Sequence, residues 1–404
     1  MASKVKTPVM PEPESNGCLP KGWRMVRFGD VVRDVNEAER NPLESGLERY
    51  VGLEHIEPEN LHLKQWGDLT AGAVSFTKRF RKGQVLFGKR RAYQRKVAVT
   101  EFDGICSSDI LTFEPKDDSL IPELLPFIVQ SDGFFQHALG TSSGSLSPRT
   151  RWSQLQDYEF PLPPKHEQCH IAELLCAADQ AVTQMNSVLI RVEELLQAFL
   201  CDAFTSRVVA EKHASLQELC AESITYGIVQ AGPHVPDGIP YIRVSDMVQE
   251  VFVSDSILRT TPQIASRFKR STVTSGDIVF ALRGDPGLVR VVPEFLDGAN
   301  LTQGTARISV RADVNRDFVL WALRSPAVRR QIATEAKGST FKEITLASLR
   351  KLRIPDKARK EQDQIADCAN NIYAGMEETK ASCAATKSLF SELRDSMLSN
   401  GVSK

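Results

Sequence analysis

The chain repeats itself once, and a large internal repeat restricts it to folds built twice from the same plan. Glu167-Gln168 followed by Ile171 recurs as Glu361-Gln362 followed by Ile365, an offset of 194 residues. The same offset links Phe160-Pro161 with Ile354-Pro355, Leu155 with Leu349, Gly144-Ser145 with Gly338-Ser339, and Asp103-Gly104 with Asp297-Gly298. Further upstream the offset drifts: the stretch from Gly83 to Phe87 meets that from Gly276 to Phe280 at 193, and Tyr50 meets Tyr241 at 191. Each half therefore reads as a mixed domain followed by a long helix. Short apolar stretches bounded by glycine and charge, such as Gln84 to Phe87, Lys96 to Val99, Ile278 to Leu282 and Arg307 to Val310, predict strands. Leu120 to Gly133 and Asp317 to Ile332 predict helices. The expected fold class is α/β (α+β), with a twisted and mainly antiparallel sheet in each domain.

The helices that follow the domains carry the clearest signal. Pro161, Pro163 and Pro164 close the first domain, and no proline interrupts residues 165 to 206. Within that stretch Ile171, Leu174, Ala178, Ala181, Met185, Val188, Val192, Leu195 and Phe199 recur at alternating spacings of three and four, a heptad seam. A helix of roughly 38 residues spans about 57 Å and cannot bury such a stripe alone. After Pro355 its mate offers Ile365, Cys368, Ile372, Met376, Thr379, Cys383, Thr386, Leu389, Leu393 and Met397. This second seam is more polar, and Gly375 costs about 1 kcal/mol against alanine in a helix interior. The two helices are expected to pair antiparallel. The expected boundaries are a flexible tail over 1–20, domains over 21–163 and 207–357, and spacer helices over 164–206 and 358–404, the last with a C-terminal tail.

Composition narrows the function classes only a little. A formal net charge of -1 over 404 residues provides no global electrostatic case for nucleic acid, so such a case must come from local clustering. No span approaches the roughly 20 apolar residues of a membrane helix, and the N-terminus lacks the apolar run of a signal sequence. Eight cysteines lie scattered, without the dense spacing of a small disulfide scaffold. Reduced thiols and a cytoplasmic protein are expected.

The order domain, proline stop, Glu-Gln helix, repeated, resembles the specificity subunits of type I restriction-modification enzymes over residues 20 to 400. The resemblance is carried in the first half by Lys82-Gly83-Gln84-Val85-Leu86-Phe87-Gly88-Lys89, by Asp103-Gly104-Ile105-Cys106-Ser107-Ser108, and by Phe160-Pro161-Leu162-Pro163-Pro164 with Glu167-Gln168 and Ile171. In the second half it rests on Ser275-Gly276-Asp277-Ile278-Val279 with Arg283-Gly284, and on Arg353-Ile354-Pro355 with Glu361-Gln362 and Ile365. It implies two target-recognition domains, each reading one part of a bipartite double-stranded DNA site. It also implies helices that space them and dock modification (methyltransferase) and restriction subunits. On the same resemblance the chain is noncatalytic and binds no cofactor. S-adenosylmethionine, ATP and magnesium then belong to partner subunits, of which one methylates adenine and another translocates and cuts DNA. The second exit, Ile354-Pro355-Asp356, lacks the double proline.

Local charge supplies the surface that such a function needs. Between Thr77 and Val99 stand Lys78, Arg79, Arg81, Lys82, Lys89, Arg90, Arg91, Arg95 and Lys96, with no acidic residue among them. Lysines neutralise phosphates, and the forked guanidinium of arginine also reads guanine in the major groove. Tyr93 and Gln94 lie in the same run, within a connection between two strands whose counterpart is the stretch from Arg283 to Arg290. A second candidate surface is Gly140 to Trp152, with Arg149 and Arg151, matched by Lys337 to Lys342. Its amides, hydroxyls and cations suit phosphate, and equally suit ordinary turns.

Two other patterns lose to simpler readings. Gly83 to Arg90 imitates a nucleotide-binding loop, yet Arg90 stands where Ser or Thr should meet magnesium, and the interior reads as strand. His166, Cys169, His170 and Cys176 suggest a metal, yet their repeat counterparts Lys360, Asp363, Gln364 and Asn370 do not reproduce a soft-ligand set. No methyltransferase motif of the Asn-Pro-Pro-aromatic type is present. The remaining alternative is a two-lobed coiled-coil scaffold that binds only proteins, which leaves the basic run at 78–96 without a purpose.

Overall fold

The structure is a computed structural model that describes residues 19–72, 74–142, 144, 147–205, 212–338 and 342–399. The expected tail over 1–20 therefore lies almost wholly outside the described residues, as does the junction at 206–211. The chain divides into two compact units, residues 1–185 with 382–404 and residues 186–381.

In the first unit the strand Arg24–Arg27 pairs antiparallel with Glu159–Leu162, Val26 facing Phe160, so the two ends of the domain are tied together. Between them lies a four-stranded antiparallel sheet in the order Val32–Asp34, Ile110–Pro115, Val85–Gly88, Val97–Val99. Its apolar face meets the helices Leu125–Gln130 and Asp132–Gly140 around five fully buried phenylalanines, Phe28, Phe87, Phe113, Phe134 and Phe135. Phe87 and Phe134 meet edge-on with centroids 5.6 Å apart, a geometry worth about 0.5–1.5 kcal/mol beyond buried area. A five-stranded sheet adds one parallel pair, Tyr50 opposite Ile105.

The second unit repeats the plan. His213–Ser215 pairs antiparallel with Arg353–Pro355, and a four-stranded antiparallel sheet runs Thr225–Tyr226, Thr305–Ile308, Ile278–Ala281, Val289–Val291. Here the further sheet has three strands, again with one parallel pair, Tyr241 opposite Asn300. The mixed class and the mainly antiparallel sheets are as expected.

Two helices exceed all other elements in length, Lys165–Phe204 and Arg359–Ser399. In the first unit the start of the former and the end of the latter share a core, Ile171 and Leu175 with Phe390, Met397 and Leu398. In the second unit the end of the former and the start of the latter do so, Leu196, Leu200 and Phe204 with Ala366, Ala369, Ile372 and Met376. The pairing is antiparallel, as the sequence predicts.

The seam itself needs correction. Ile171 is buried, Val192 is half-buried, and Ile365 and Ile372 pack partly against the core as expected. Leu174, Val188, Leu195, Leu389 and Leu393 are instead exposed. The first helix buries residues spaced four and then three, so Leu175, Val182 and Leu196 face inward in place of Leu174, Ala181 and Leu195. Doublets such as Leu174-Leu175, Val188-Leu189 and Leu195-Leu196 make both choices equally apolar, and only packing selects one. In the second helix Phe390 and Arg394 replace Leu389 and Leu393. Arg394 is 4 % exposed and is held by Asp395 at 2.8 Å, with Asp132 at 3.7 Å, a seam residue no hydrophobic periodicity reveals.

A histidine joins the first domain to its helix. His62 Nε2 lies 2.7 Å from Asp179 Oδ2, with Glu101 at 4.0 Å from the other ring nitrogen. The hydrogen bond to Asp179 raises the imidazole above its ordinary range against the opposing effect of burial, and the charges of Asp179 and Glu101 add to the rise.

Two outcomes follow from this packing. Leu175→Ala or Leu200→Ala lowers stability by about 2–5 kcal/mol in denaturant unfolding, whereas Leu174→Ala or Leu195→Ala changes it by about 0.5 kcal/mol or less. Because the His62 pKa is higher folded than unfolded, its contribution is full below about pH 6.5 and is lost as pH rises through the folded value. His62→Gln therefore flattens the decline of the first unit's unfolding midpoint above that pH; an unchanged slope counts against the His62–Asp179 bond.

Candidate nucleic-acid interface

The hairpin joining Val85–Gly88 to Val97–Val99 carries five of the nine cations of the basic run, Lys89, Arg90, Arg91, Arg95 and Lys96. It is shaped by a single turn of 3-10 helix, Ala92–Gln94, flanked by Arg91 at φ 55° and Arg95 at φ 51°. Both are left-handed, a conformation that costs a non-glycine residue on the order of 1–3 kcal/mol. In the second unit the matching hairpin places glycines at these turns, Gly284 at φ 81° and Gly287 at φ 97°.

Sequence reading keeps this hairpin and the Gly/Ser segment as separate surfaces, and the fold joins them. The Arg91 amide donates to the Pro148 carbonyl at 2.8 Å, and the Thr150 amide donates to the Lys89 carbonyl at 3.0 Å. Arg90 and Arg149 thereby form a short antiparallel bridge. The second unit does the same: the Gly284 amide donates to the Lys342 carbonyl, the Ile344 amide to the Leu282 carbonyl, and Arg283 bridges Glu343. Residues 143, 145, 146 and 339–341 of the two Gly/Ser segments lie outside those described. One carboxylate organises the first junction: Asp109 accepts from Arg149 Nε at 3.0 Å and lies 3.6 Å from Arg90, whose Nε also donates to Ser147 Oγ at 2.7 Å. Two cations against one carboxylate leave local positive charge. Asp109 stands outside the basic run in sequence, and no charge scan of that run finds it.

The unbroken basic run does not survive as one patch. Strand neighbours and loops bring carboxylates to it, the cross-strand pairing that linear charge counting cannot see. Lys78 is 10 % exposed, with Asp34 at 2.8 Å. Arg79 faces Asp103 at 3.9 Å, and Arg81 meets Glu37 at 2.7 Å. Arg95 lies across the Phe135 ring, pairs with Asp132 at 2.6 Å and Glu59 at 3.3 Å, and donates to the Gln130 carbonyl. Lys96 Nζ donates to the Leu53 carbonyl at 2.6 Å. These are structural ties. Lys82, Arg91 and Arg151 are exposed, Tyr93 is 55 % exposed beside Arg91, and Lys89 and Gln94 are half-buried at the same turn.

In the second unit Lys342 is exposed and Arg283 half-buried. Arg290 departs from expectation: it lies in a strand opposite Val279, not in the connection. It is 6 % exposed, and its Nε donates to the Gln249 carbonyl while Glu250 stands at 3.5 Å. Burial lowers its pKa, and this placement removes it from the surface set. Arg329, which sequence reading passes over, reaches the hairpin tip from a helix, donating to the Pro286 carbonyl and pairing with Asp285 at 3.3 Å.

The nucleotide-loop imitation resolves into a strand, Val85–Gly88, buried throughout. Among the described residues no group of three or more His, Cys, Asp or Glu side chains is placed to hold a metal ion, and no helix is long and apolar enough to cross a membrane.

Comparison with known proteins gives a consistent pattern. Residues 20–194 match the family described as type I restriction modification DNA specificity domain. The chain is 29% identical over 213 residues to the type I restriction enzyme EcoDI specificity subunit of Escherichia coli, covering 50% of this chain and 46% of that one. It is 29% identical over 286 residues to the EcoBI specificity subunit of the same organism, covering 60% and 58%. The matches thus span about half the length of these relatives. The fold resembles a chain in a solved type I restriction-modification assembly, with a TM-score of 0.63 at 20% identity over 95% of this chain and 99% of that one. It also resembles the S subunit from M. genitalium, with a TM-score of 0.55 at 14% identity over 96% and 99%.

The division between structural and free cations is measurable. Arg95→Met leaves Glu59 unpaired, leaves Asp132 with only Arg394 at 3.7 Å and frees the Gln130 carbonyl, and it lowers stability by about 1–3 kcal/mol in denaturant unfolding, whereas Arg91→Met changes it by about 0.5 kcal/mol or less. Equal effects at the two positions count against the division.

Proposed function

We propose that this chain, whose residues 20–194 match the type I restriction modification DNA specificity domain family, acts as a whole as the noncatalytic subunit that reads a bipartite double-stranded DNA site. The observation that carries the reading is the duplicated junction of a hairpin with a Gly/Ser segment, once in each unit, with cations at both. Loops on a rigid sheet vary in sequence while the scaffold stays constant, which suits two readers of different half-sites. In the first unit Lys82, Lys89, Arg149 and Arg151 supply phosphate contacts, and Arg90, Arg91, Tyr93 and Gln94 stand nearest the bases. In the second, Arg283 and Lys342 take the same places.

The long helices set the spacing. The apolar side chains their seam leaves outside, Leu174, Leu389 and Leu393 in the first unit and Val188, Ile190 and Leu195 in the second, supply each unit with its own surface for modification subunits. Adenine methylation with S-adenosylmethionine, and ATP- and magnesium-dependent translocation and cleavage, belong to those subunits and to a restriction subunit. The protein works in the cytoplasm. A scaffold that binds only proteins gives no role to the exposed cations at the first hairpin.

Exchange of residues 21–163 for the corresponding domain of a related protein, followed by sequencing of duplexes selected from a random pool, tests the assignment. One half of the selected site changes and the other stays; a change in both, or in neither, overturns it. Lys82→Ala weakens binding to all sequences alike and reduces the slope of log affinity against log salt by about 1.

A further inference from the structure

Among the described residues three non-glycine side chains sit on left-handed backbone: Glu59, Arg91 and Arg95. Two of them account for each other. The Glu59 amide donates to the Arg95 carbonyl at 3.1 Å, and the Arg95 guanidinium lies 3.3 Å from the Glu59 carboxylate while also gripping Asp132. These contacts offset the strain and hold the hairpin to the body of the domain.

Arg91 has no such return. Its side chain is exposed and makes no hydrogen bond or ion pair with another described residue. Its backbone is nevertheless fixed on both sides, the amide by the Pro148 carbonyl at 2.8 Å and the carbonyl by the Gln94 amide at 2.9 Å. The second unit builds the equivalent turn with Gly284, which adopts a positive φ of 81° without strain. The fold accepts glycine here, so stability does not explain an arginine. Strain retained at a fixed, solvent-facing position points to a demand on the side chain itself. The neighbours are otherwise engaged: Arg90 is held by Ser147 and Asp109, and Lys96 by the Leu53 carbonyl.

We infer that Arg91 is the specificity-determining residue of the first hairpin, reading one guanine of the first half-site through its major-groove edge. The inference rests on the DNA-recognition reading above. A guanidinium carried on immobilised backbone presents its fork at a set angle, which suits paired donation to O6 and N7 of guanine and does not suit a lysine. Gly284 supplies no side chain in the second unit, so the equivalent turn there reads nothing in this way.

The test uses the full-length chain, immobilised and challenged with a random duplex pool, as wild type, Arg91→Gly and Arg91→Lys. Wild type enriches a motif with a guanine in its first half. Arg91→Gly loses the preference at that one position by about ten- to a hundredfold while the rest of the motif stays. Its melting temperature stays level or rises by up to about 4 °C, because the strain is gone. Arg91→Lys keeps the charge and loses the same position. A wild-type motif retained by Arg91→Gly overturns the inference and leaves DNA recognition standing. A wild-type motif restored by Arg91→Lys makes Arg91 a phosphate contact and likewise overturns it. Global loss of binding with a melting temperature lowered by more than about 2 °C assigns Arg91 a structural role instead. A wild-type chain that enriches no sequence removes the DNA-recognition reading and the inference with it.

Discussion

Each long helix is held at its first turn by a buried glutamine, and the placement of everything beyond depends on that hold. Gln168 is 1 % exposed. Its oxygen accepts from the Ile121 amide at 3.0 Å, and its nitrogen donates to the carbonyls of Ser119 and Pro163. Gln362 is 5 % exposed and repeats the arrangement, accepting from the Asn315 amide and donating to the Lys357 carbonyl. A buried amide costs several kcal/mol unless its hydrogen bonds are made, so the helix starts where those backbone groups converge or not at all. The adjacent glutamates assist from the exposed side, Glu167 accepting from the Trp23 indole and Glu361 pairing with Lys357.

This explains why the Glu-Gln pair was legible as a marker of the repeat. Its role depends on two neighbours close in sequence and on backbone groups any residue supplies. The helices were legible for a similar reason, since apolar periodicity over some forty residues tolerates local errors. Their inner face was not, because Leu174-Leu175 and Leu195-Leu196 offer two stripes of equal hydrophobicity, and the choice is made by packing against a partner absent from the local sequence. Arg394 shows the limit from the other side. A buried cation is intelligible only once Asp395 and Asp132 are seen beside it.

The candidate interface divides in the same way. Clustering of Lys and Arg between 78 and 96 located the hairpin, yet Asp34, Glu37, Asp103, Asp109 and Asp132 reach it from other parts of the chain and neutralise much of it. Charge is a three-dimensional property, and a linear scan overstates it wherever strands are paired. Arg290 was misplaced because the second hairpin is shorter by one residue, with Val289 rather than Val97 closing it opposite a buried phenylalanine. A comparison by position in the repeat slid a strand residue into the loop.

The division of the helices between the units has a consequence for synthesis. The second unit is contiguous, residues 186–381, whereas the first needs residues 382–399 to complete a core that begins near residue 26. On a ribosome adding about 5–20 residues per second, the domain made first waits roughly 10–40 s for Phe390, Met397 and Leu398 to arrive. During that interval Ile171 and Leu175 lack part of their cover, while the later domain already has all its own segments. The order of completion is therefore the reverse of the order of translation, and the half-covered helix is the apolar surface that stays open longest on the nascent chain.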